Sequence, residues 1–228
     1  LTAGRRRAIL RAMSYSPIAL LAAAGSGAAI ALLGLVYKVS AQRQCRAMPF
    51  TLAFLFTAGL LMLATSFSEP TAWGDGRLWA LGVPMGVLFF VGIPTIVAAN
   101  RMGPASVNWT FVNLGLVVPI AVAPWFFREP LLWVDALTLL AFVLMLLAFA
   151  RDMAAGDETK AEHLLLYGLL LFAVWANNGI AMSLLKGKAV AVGAGSSAGF
   201  GAIFYLTGGA LTLLTALITE RGQRVRAV

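Results

Sequence analysis

Apolar side chains occupy most of the chain in long runs, and short polar segments separate these runs. A helix needs roughly 20 apolar residues to cross the hydrocarbon core of a bilayer, which is about 30 Å thick. Seven runs reach that length, and each predicts a membrane-spanning helix: about 17–37, 48–67, 78–99, 104–127, 131–150, 164–185 and 197–219. The alternating pattern that the wall of a transmembrane β-barrel requires is absent. The predicted fold class is all-α, a polytopic bundle of about seven transmembrane helices.

Composition narrows the function classes. Of the 228 residues, 61% are hydrophobic and 11% are charged, whereas a soluble domain carries about 25% charged residues. Too few polar side chains are present to cover a water-facing surface, which excludes water-soluble enzymes. The chain has one cysteine, Cys45, and one histidine, His163. A disulfide within the chain is therefore excluded, and a zinc site would lack ligands. We expect no cofactor, no metal and no enzymatic activity.

The positive charge indicates a lipid partner. The net charge is +8, and almost all of the lysines and arginines lie between apolar runs. Anionic lipid headgroups are therefore the expected counter-charge, and nucleic acid is not. The cluster Arg5-Arg6-Arg7 before the first run favours a cytoplasmic N-terminus. Four tryptophans beside the second and fourth loops predict one aromatic belt at an interface: Trp73, Trp79, Trp125 and Trp133.

Two distant parts of the chain resemble each other and predict an internal repeat. Gly34-Leu-Val-Tyr-Lys aligns with Gly179-Ile-Ala-Met-Ser, and Phe54-Leu-Phe-Thr-Ala-Gly59 aligns with Phe204-Tyr-Leu-Thr-Gly-Gly209. The unit would have five helices, and an odd number of spans inverts the second copy. The predicted organisation is a basic arm (1–16), a first five-helix repeat (17–150), a polar linker (151–163), the first two helices of a second repeat (164–219) and a basic tail (220–228). Because the second copy stops early and the sequence begins with Leu1, we expect an incomplete chain.

Residues 100–131 carry a family resemblance. Asn100-Arg-Met-Gly-Pro-Ala-Ser106, then Val118-Pro119, then Phe127-Arg-Glu129-Pro-Leu, followed by an apolar helix, resemble the first half of the EamA-type transporters of the drug/metabolite transporter superfamily. The resemblance implies a ten-helix carrier of two inverted five-helix repeats. Such carriers move metabolites, amino acids or drugs across the cytoplasmic membrane of bacteria. The implied partners are the bilayer and a small-molecule solute, with a homo-dimer as an option.

A second hypothesis comes from another class of protein. The chain holds seven of the ten helices that the resemblance implies, so it also fits a non-transporting membrane scaffold. It equally fits a subunit that needs a partner to complete the bundle.

Polar residues in the fourth predicted helix give the first candidate site. Ser106, Thr110 and Asn113 follow at spacings of four and three, which places them along one face. Polar groups facing lipid are costly, so we expect them to point inward, either to a neighbouring helix or to a solute path. Pro119 frees a carbonyl one turn back, which favours the path. Asn108 lies on another face, and we expect it at the interface.

The sixth predicted helix gives the second candidate site. Asn177 and Asn178 lie at its middle, two and three residues from Trp175. Two amides and an aromatic ring suit a small polar solute. Hydrogen bonds from the amides to a neighbouring helix, an amide clasp, would explain them equally well. The predicted substrate-binding residues are Thr110, Asn113, Trp175, Asn177 and Asn178. They would lie between the first, third, fourth and sixth helices, near the midplane.

Three prolines and one acid are structural or hinge candidates. Pro84 and Pro94 interrupt the third predicted helix beside Gly82, Gly86 and Gly92, a pattern typical of close packing around a kink or of a hinge. Pro119 does the same in the fourth helix. Glu129 matches the family's acidic position, and it would either cap the fifth helix or couple to ions or substrate.

Two enzyme-like patterns fail on their context. The sequence Gly195-Ser-Ser-Ala-Gly199 fits a nucleophile elbow, but no strand precedes it and His163 lies in the linker. A retinal Schiff base would need a lysine in the seventh helix, and 197–219 has none. No carboxylate lies clearly at depth, so the sequence does not support proton coupling.

Overall fold

Helices account for nearly all of the structure. The computed structural model describes residues 17–43, 45–67, 73–154, 161–193 and 196–226. Its helices are α1 (Pro17–Gln42), α2 (Ala47–Ser66), α3 (Gly76–Met102), α4 (Ala105–Leu114), α5 (Val117–Val122), α6 (Trp133–Ala154), α7 (Ala161–Val192) and α8 (Ser197–Arg226). A π-helical turn, Ala123–Phe127, follows α5. Because these residues contain no strand, the predicted all-α class is confirmed for the part of the chain described.

The helices follow the predicted runs but are longer at several ends. Helix α7 continues to Val192, so Lys186 and Lys188 lie in a helix rather than in a loop. Helix α6 continues to Ala154 and α7 begins at Ala161, so both ends of the predicted linker are helical. Helix α8 takes in most of the predicted tail, through Arg226. The predicted basic arm 1–16, the linker centre 155–160 and the last residues 227–228 lie outside the described residues.

Length and surface identify an integral membrane protein. Among the described residues, five helices are long and apolar enough to cross a membrane: Ala47–Ser66, Gly76–Met102, Ala105–Phe127, Leu164–Val192 and Ser197–Thr219. Their outer faces are apolar as well. On α7, for example, Leu165, Leu169 and Phe172 follow at helical spacing and are 67%, 57% and 61% exposed. Such faces would aggregate in water, whereas lipid solvates them.

Helix α3 lies at the centre of the bundle, in contact with α1, α2, α4, α7 and α8. One apolar cluster joins α3 to α7 and α8 through Leu78, Met85, Ala181, Phe200 and Ile203. A second cluster joins α3 to α1 and α2. Because these contacts lie along most of its length, α3 positions the other helices around the middle of the bundle.

Glycines bring α3 and α8 into backbone contact. A Cβ atom on Gly86 would lie 2.6 Å from the Phe204 carbonyl oxygen, and one on Gly208 would lie 2.8 Å from the Gly86 carbonyl oxygen. Helices in lipid associate by such close packing, since lipid supplies no hydrophobic drive. The packing interpretation of Gly82 and Gly86 is therefore confirmed.

The two prolines of α3 remain inside one continuous helix. Pro84 and Pro94 both lie within Gly76–Met102, Pro84 exposed and Pro94 half-buried. Neither proline ends the helix, and their role as hinges stays a prediction.

The close approach at Gly86 predicts a stability difference between two identical substitutions. Gly86→Ala should lower the melting temperature in detergent, because the added methyl group collides with backbone and such overpacking costs about 1–3 kcal/mol. Gly25→Ala is the matched control, since nothing lies within 4 Å of a Cβ at that position. Equal melting temperatures for the two variants would contradict the close packing of α3 on α8.

Candidate functional site

A break in the helical hydrogen bonding separates α4 from α5. Pro119 has no N–H to give to the carbonyl four residues back, and its ring crowds that carbonyl. The N–H groups of Gly115, Leu116 and Val118 instead donate to carbonyls three residues back, each at 3.1 Å. This tightening leaves the Leu114 carbonyl without its usual partner, the N–H of Val118.

Helix α7 supplies donors for the carbonyls at this break. The Trp175 indole Nε1 donates to the Leu114 carbonyl at 3.1 Å, and the Asn178 Nδ2 donates to the Val112 carbonyl at 2.5 Å. Two glycines allow the approach, since a Cβ on Gly115 would lie 2.9 Å from the Gly179 nitrogen. The predicted amide clasp between helices therefore exists at Asn178, and Trp175 belongs to it.

A cavity of about 330 Å³ lies beside this break. Residues from α1, α2, α3, α4, α7 and α8 line it, and most of them are apolar. The polar residues of the lining are Tyr37, Trp109, Asn113, Asn177, Asn178 and Tyr205. None of the described residues in the lining carries a charged side chain. The volume corresponds to roughly ten water molecules and falls at the lower end of small-molecule sites.

Three of the five predicted substrate-binding residues line this cavity, namely Asn113, Asn177 and Asn178. The other two do not. Trp175 directs its N–H to the Leu114 carbonyl and stacks on Phe142 with ring centroids 5.7 Å apart. Thr110 is exposed, as is Ser106.

The inward orientation expected for Ser106 and Thr110 is therefore wrong. The Thr110 hydroxyl donates to the Ser106 carbonyl at 2.9 Å. A hydroxyl satisfied by its own helix can face lipid without an unpaired polar group, so spacing alone did not fix which way these residues point.

Aromatic residues of the cavity were not singled out from the sequence. The ring of Tyr37 lies 6.1 Å from Trp109 and 6.3 Å from Phe54, and Phe54 lies 6.2 Å from Tyr205. Together they form a continuous aromatic wall from α4 through α1 and α2 to α8. Because aromatic residues occur in every part of the chain, only the packing of the helices distinguishes these four. Tyr37 and Tyr205 do fall in the two stretches that suggested the repeat.

A buried polar network lies at the end of the bundle where α7 begins. The Tyr167 hydroxyl donates to Asn108 Oδ1 at 2.8 Å, and Asn108 Nδ2 donates to Asn100 Oδ1 at 2.7 Å. Asn108 is 1% exposed and so buried inside the bundle, while its expected depth near the membrane interface stays a prediction. Its hydrogen bonds to α3 and α7 hold it inside.

An ion pair lies at the opposite end, where α5 and α7 finish. The Lys186 ammonium lies 2.5 Å from Glu129 Oε2 and 5.0 Å from the centre of the Phe127 ring. Glu129 does not cap the next helix as expected, because Asp135 Oδ2 accepts the Leu132 N–H instead. Coupling of Glu129 to ions or substrate stays a prediction.

All four belt tryptophans lie at this same end. Trp73 and Trp79 flank the start of α3, where the Arg77 guanidinium donates to the Ala191 carbonyl of α7. Trp125 and Trp133 flank Glu129, whose partner Lys186 is also on α7. Trp125 and Trp133 are 77% and 74% exposed, as indoles at a membrane interface would be.

Neither metal chemistry nor similarity to a known protein adds to this site. Among the described residues, no group of three or more His, Cys, Asp or Glu side chains could hold a metal ion. Comparisons with protein-family models, curated proteins and solved structures find no match to the chain. The cavity and the broken helix beside it are thus the features from which a function can be argued.

The clasp predicts an energetic coupling between Trp175 and Pro119. Trp175→Phe keeps a ring against Phe142 but removes the N–H, so it should lower the free energy of unfolding by about 1 kcal/mol. In a Pro119→Ala background α4 and α5 can close into one regular helix, and the Leu114 carbonyl regains a backbone donor. In that background, Trp175→Phe should lower the free energy of unfolding by less than half as much, as measured in a double-mutant cycle.

Trp133→Phe provides the control, because Trp133 is exposed at the start of α6. Its small effect should be the same in both backgrounds. Additive costs for Trp175→Phe and Pro119→Ala would contradict the assignment of the indole to the released carbonyl.

Proposed function

We propose that this chain belongs to a secondary transporter that resembles the EamA-type carriers and binds a small solute in the central cavity. The cavity carries the proposal, because hydroxyl and amide side chains line it between helices long enough to span a bilayer. A membrane protein with only a packing role would bury apolar groups there, since unpaired polar groups are costly away from water. The proposed location is a bacterial cytoplasmic membrane, with the N-terminus in the cytoplasm.

A pair of reciprocal contacts supports the inverted repeat. A Cβ on Gly59 would lie 2.8 Å from the Leu206 side chain, and a Cβ on Gly209 would lie 3.2 Å from the Phe56 ring. In the predicted alignment Gly59 corresponds to Gly209, and Phe56 corresponds to Leu206. Exchanging the two copies therefore converts one contact into the other, as a two-fold axis between antiparallel α2 and α8 requires.

Helix directions support a full crossing by α6. Asn108 contacts Tyr167, Val112 contacts Asn178 and Glu129 contacts Lys186, so α4–α5 and α7 run in the same direction. The chain must therefore cross the bundle in the opposite direction after α5 and before α7, and α6 is the helix that lies there in the sequence. Its 22 residues span about 33 Å, enough for the hydrocarbon core.

The crossing by α6 predicts that two thiols label from opposite sides of the membrane. Cys45 is the only cysteine and is exposed, and Ala191 is exposed at the end of α7. An impermeant maleimide should label Cys45 in intact cells, and Ala191→Cys in a Cys45→Ser background only after permeabilisation. Labelling of both thiols from one side would contradict the crossing by α6.

Alternating access predicts that a thiol in the cavity meets water from each side in turn. Met182 lines the cavity, so Met182→Cys in the Cys45→Ser background should react with an impermeant methanethiosulfonate. We expect the reaction both in intact cells and in inside-out vesicles. The measurement is the loss of subsequent maleimide labelling.

Leu171→Cys in the same background is the control, because Leu171 is fully buried between α4 and α7 and should react in neither preparation. A Met182→Cys thiol that reacts from neither side, or from one side only, would favour the non-transporting scaffold.

A further inference from the structure

The hydrogen-bonding state of the cavity's amides restricts what it can bind. Asn178 Nδ2 donates to the Val112 carbonyl, and Asn113 Nδ2 donates to the Trp109 carbonyl at 2.9 Å. A carbonyl can only accept, so in both residues the NH₂ group must face the backbone. Each NH₂ group has a second N–H, so each amide keeps one donor and its Oδ1 oxygen, an acceptor, for a ligand.

The strongest fixed donor near the cavity points elsewhere. The Trp109 indole Nε1 is buried and has no partner among the described residues. It faces α1, because a Cβ on Gly34 would lie 2.7 Å from it. The groups of the lining still able to donate are the Tyr37 and Tyr205 hydroxyls, the Asn177 amide and one N–H each of Asn113 and Asn178. Each of these N–H or O–H groups is one donor, whereas the oxygen of each of the five residues offers two lone pairs. The lining therefore holds more acceptors than donors.

The aromatic wall adds negative electrostatic potential. Tyr37, Phe54, Trp109 and Tyr205 form that wall, and the faces of aromatic rings attract cations and repel anions. Two helices of the lining carry lysines, Lys38 on α1 and Lys186 on α7, but neither lysine is among the lining residues. An anion would meet oxygen atoms and aromatic rings with no cationic side chain in the lining to pair with, whereas an ammonium ion would find hydrogen-bond acceptors and rings able to attract it.

We infer that the cavity selects an organic monocation, an ammonium group with N–H bonds attached to an apolar body. The ammonium would donate to the Oδ1 atoms of Asn113 and Asn178, and the apolar body would pack on the aromatic wall and on Ile93, Val174 and Met182. This inference depends on the proposed function, because it names the class of solute for the same cavity. It excludes inorganic anions and carboxylates as ligands.

Three probes that differ mainly in charge test this selectivity. They are 2-phenylethylammonium, neutral 2-phenylethanol and anionic phenylacetate. Binding is measured by isothermal titration to the full chain in phosphatidylcholine nanodiscs, with empty nanodiscs subtracted. We expect the ammonium ion to bind with a Kd at least about tenfold lower than either other probe, the size expected of a desolvated cation–aromatic contact.

Asn113→Leu shows whether the ligand reaches the assigned acceptor. Asn113 bonds only within its own helix among the described residues, so its loss leaves the clasp between α4 and α7 intact. We expect the Kd for the ammonium ion to rise about fivefold and the Kd for phenylethanol to stay within about twofold. Ser183→Ala, on α7 and outside the cavity, should leave both values unchanged.

Equal or tighter binding of phenylethanol or phenylacetate would overturn the inference, and so would an equal loss of both ligands in Asn113→Leu. Failure of all three probes to bind would overturn the solute class as well. The proposed function is judged separately by the reactivity of Met182→Cys, which needs no ligand. If Met182→Cys reacts from both sides but the cavity does not prefer the cation, the proposed transporter is retained and its solute belongs to another class.

Discussion

The packing of the bundle around its centre depends on how the Leu114 carbonyl, released where α4 breaks from α5, is satisfied. Away from water, a carbonyl without a hydrogen-bond donor costs several kcal/mol. Pro119 creates the problem in the fourth span, and α7 solves it with the Trp175 indole. Asn178 adds a second donor to the Val112 carbonyl, which also accepts the Gly115 N–H. This solution fixes the depth and rotation of α7 relative to α4–α5, because a shift of one residue along either helix would separate donor from acceptor.

That constraint also fixes the neighbouring contacts. With α7 held against the break, Gly179 faces the backbone of Gly115, and Asn177 is directed towards Gly92 of α3. Helix α3 then packs against both α7 and α8. The cavity is the volume that remains where the broken helix cannot fill the space between α1, α3 and α7.

Much of the fold is predictable from the sequence, and the reasons are simple. Hydrophobic length predicted where the described helices lie, since the thickness of the bilayer sets that length, but it did not predict that the run 104–127 is broken into α4, α5 and a π-helical turn. Pro119 predicted a freed carbonyl because proline always lacks the N–H group. The ends of α7 were less predictable. Lys186 looks like a loop residue in a hydropathy plot, but a long cationic side chain can remain on a helix when Glu129 and the Phe127 ring receive its charge.

The candidate site was predictable only in part, because side-chain type does not determine which partner a polar group finds. Thr110 and Asn113 lie on similar faces of α4, yet a hydroxyl can be satisfied by its own helix, while an amide always has a further group to place. Asn113 uses its NH₂ group on its own helix and still directs an oxygen elsewhere. Trp175 lies one turn from Asn178 and was grouped with it, although its N–H is used in the clasp. The aromatic wall gave no signal at all, since ring contacts arise only when four helices meet.

The cavity itself is the feature that stability does not explain. The clasp needs the indole N–H of Trp175 and the NH₂ group of Asn178. Close packing needs the glycines of α3, α7 and α8. Neither needs the hydroxyls of Tyr37 and Tyr205 or the amide of Asn177. Phenylalanine and leucine of similar volume would fill the same positions without leaving polar groups in an interior of low dielectric constant. Polar atoms that the fold does not require, gathered around one volume beside the break between α4 and α5, are what the proposed binding site would add to a membrane bundle.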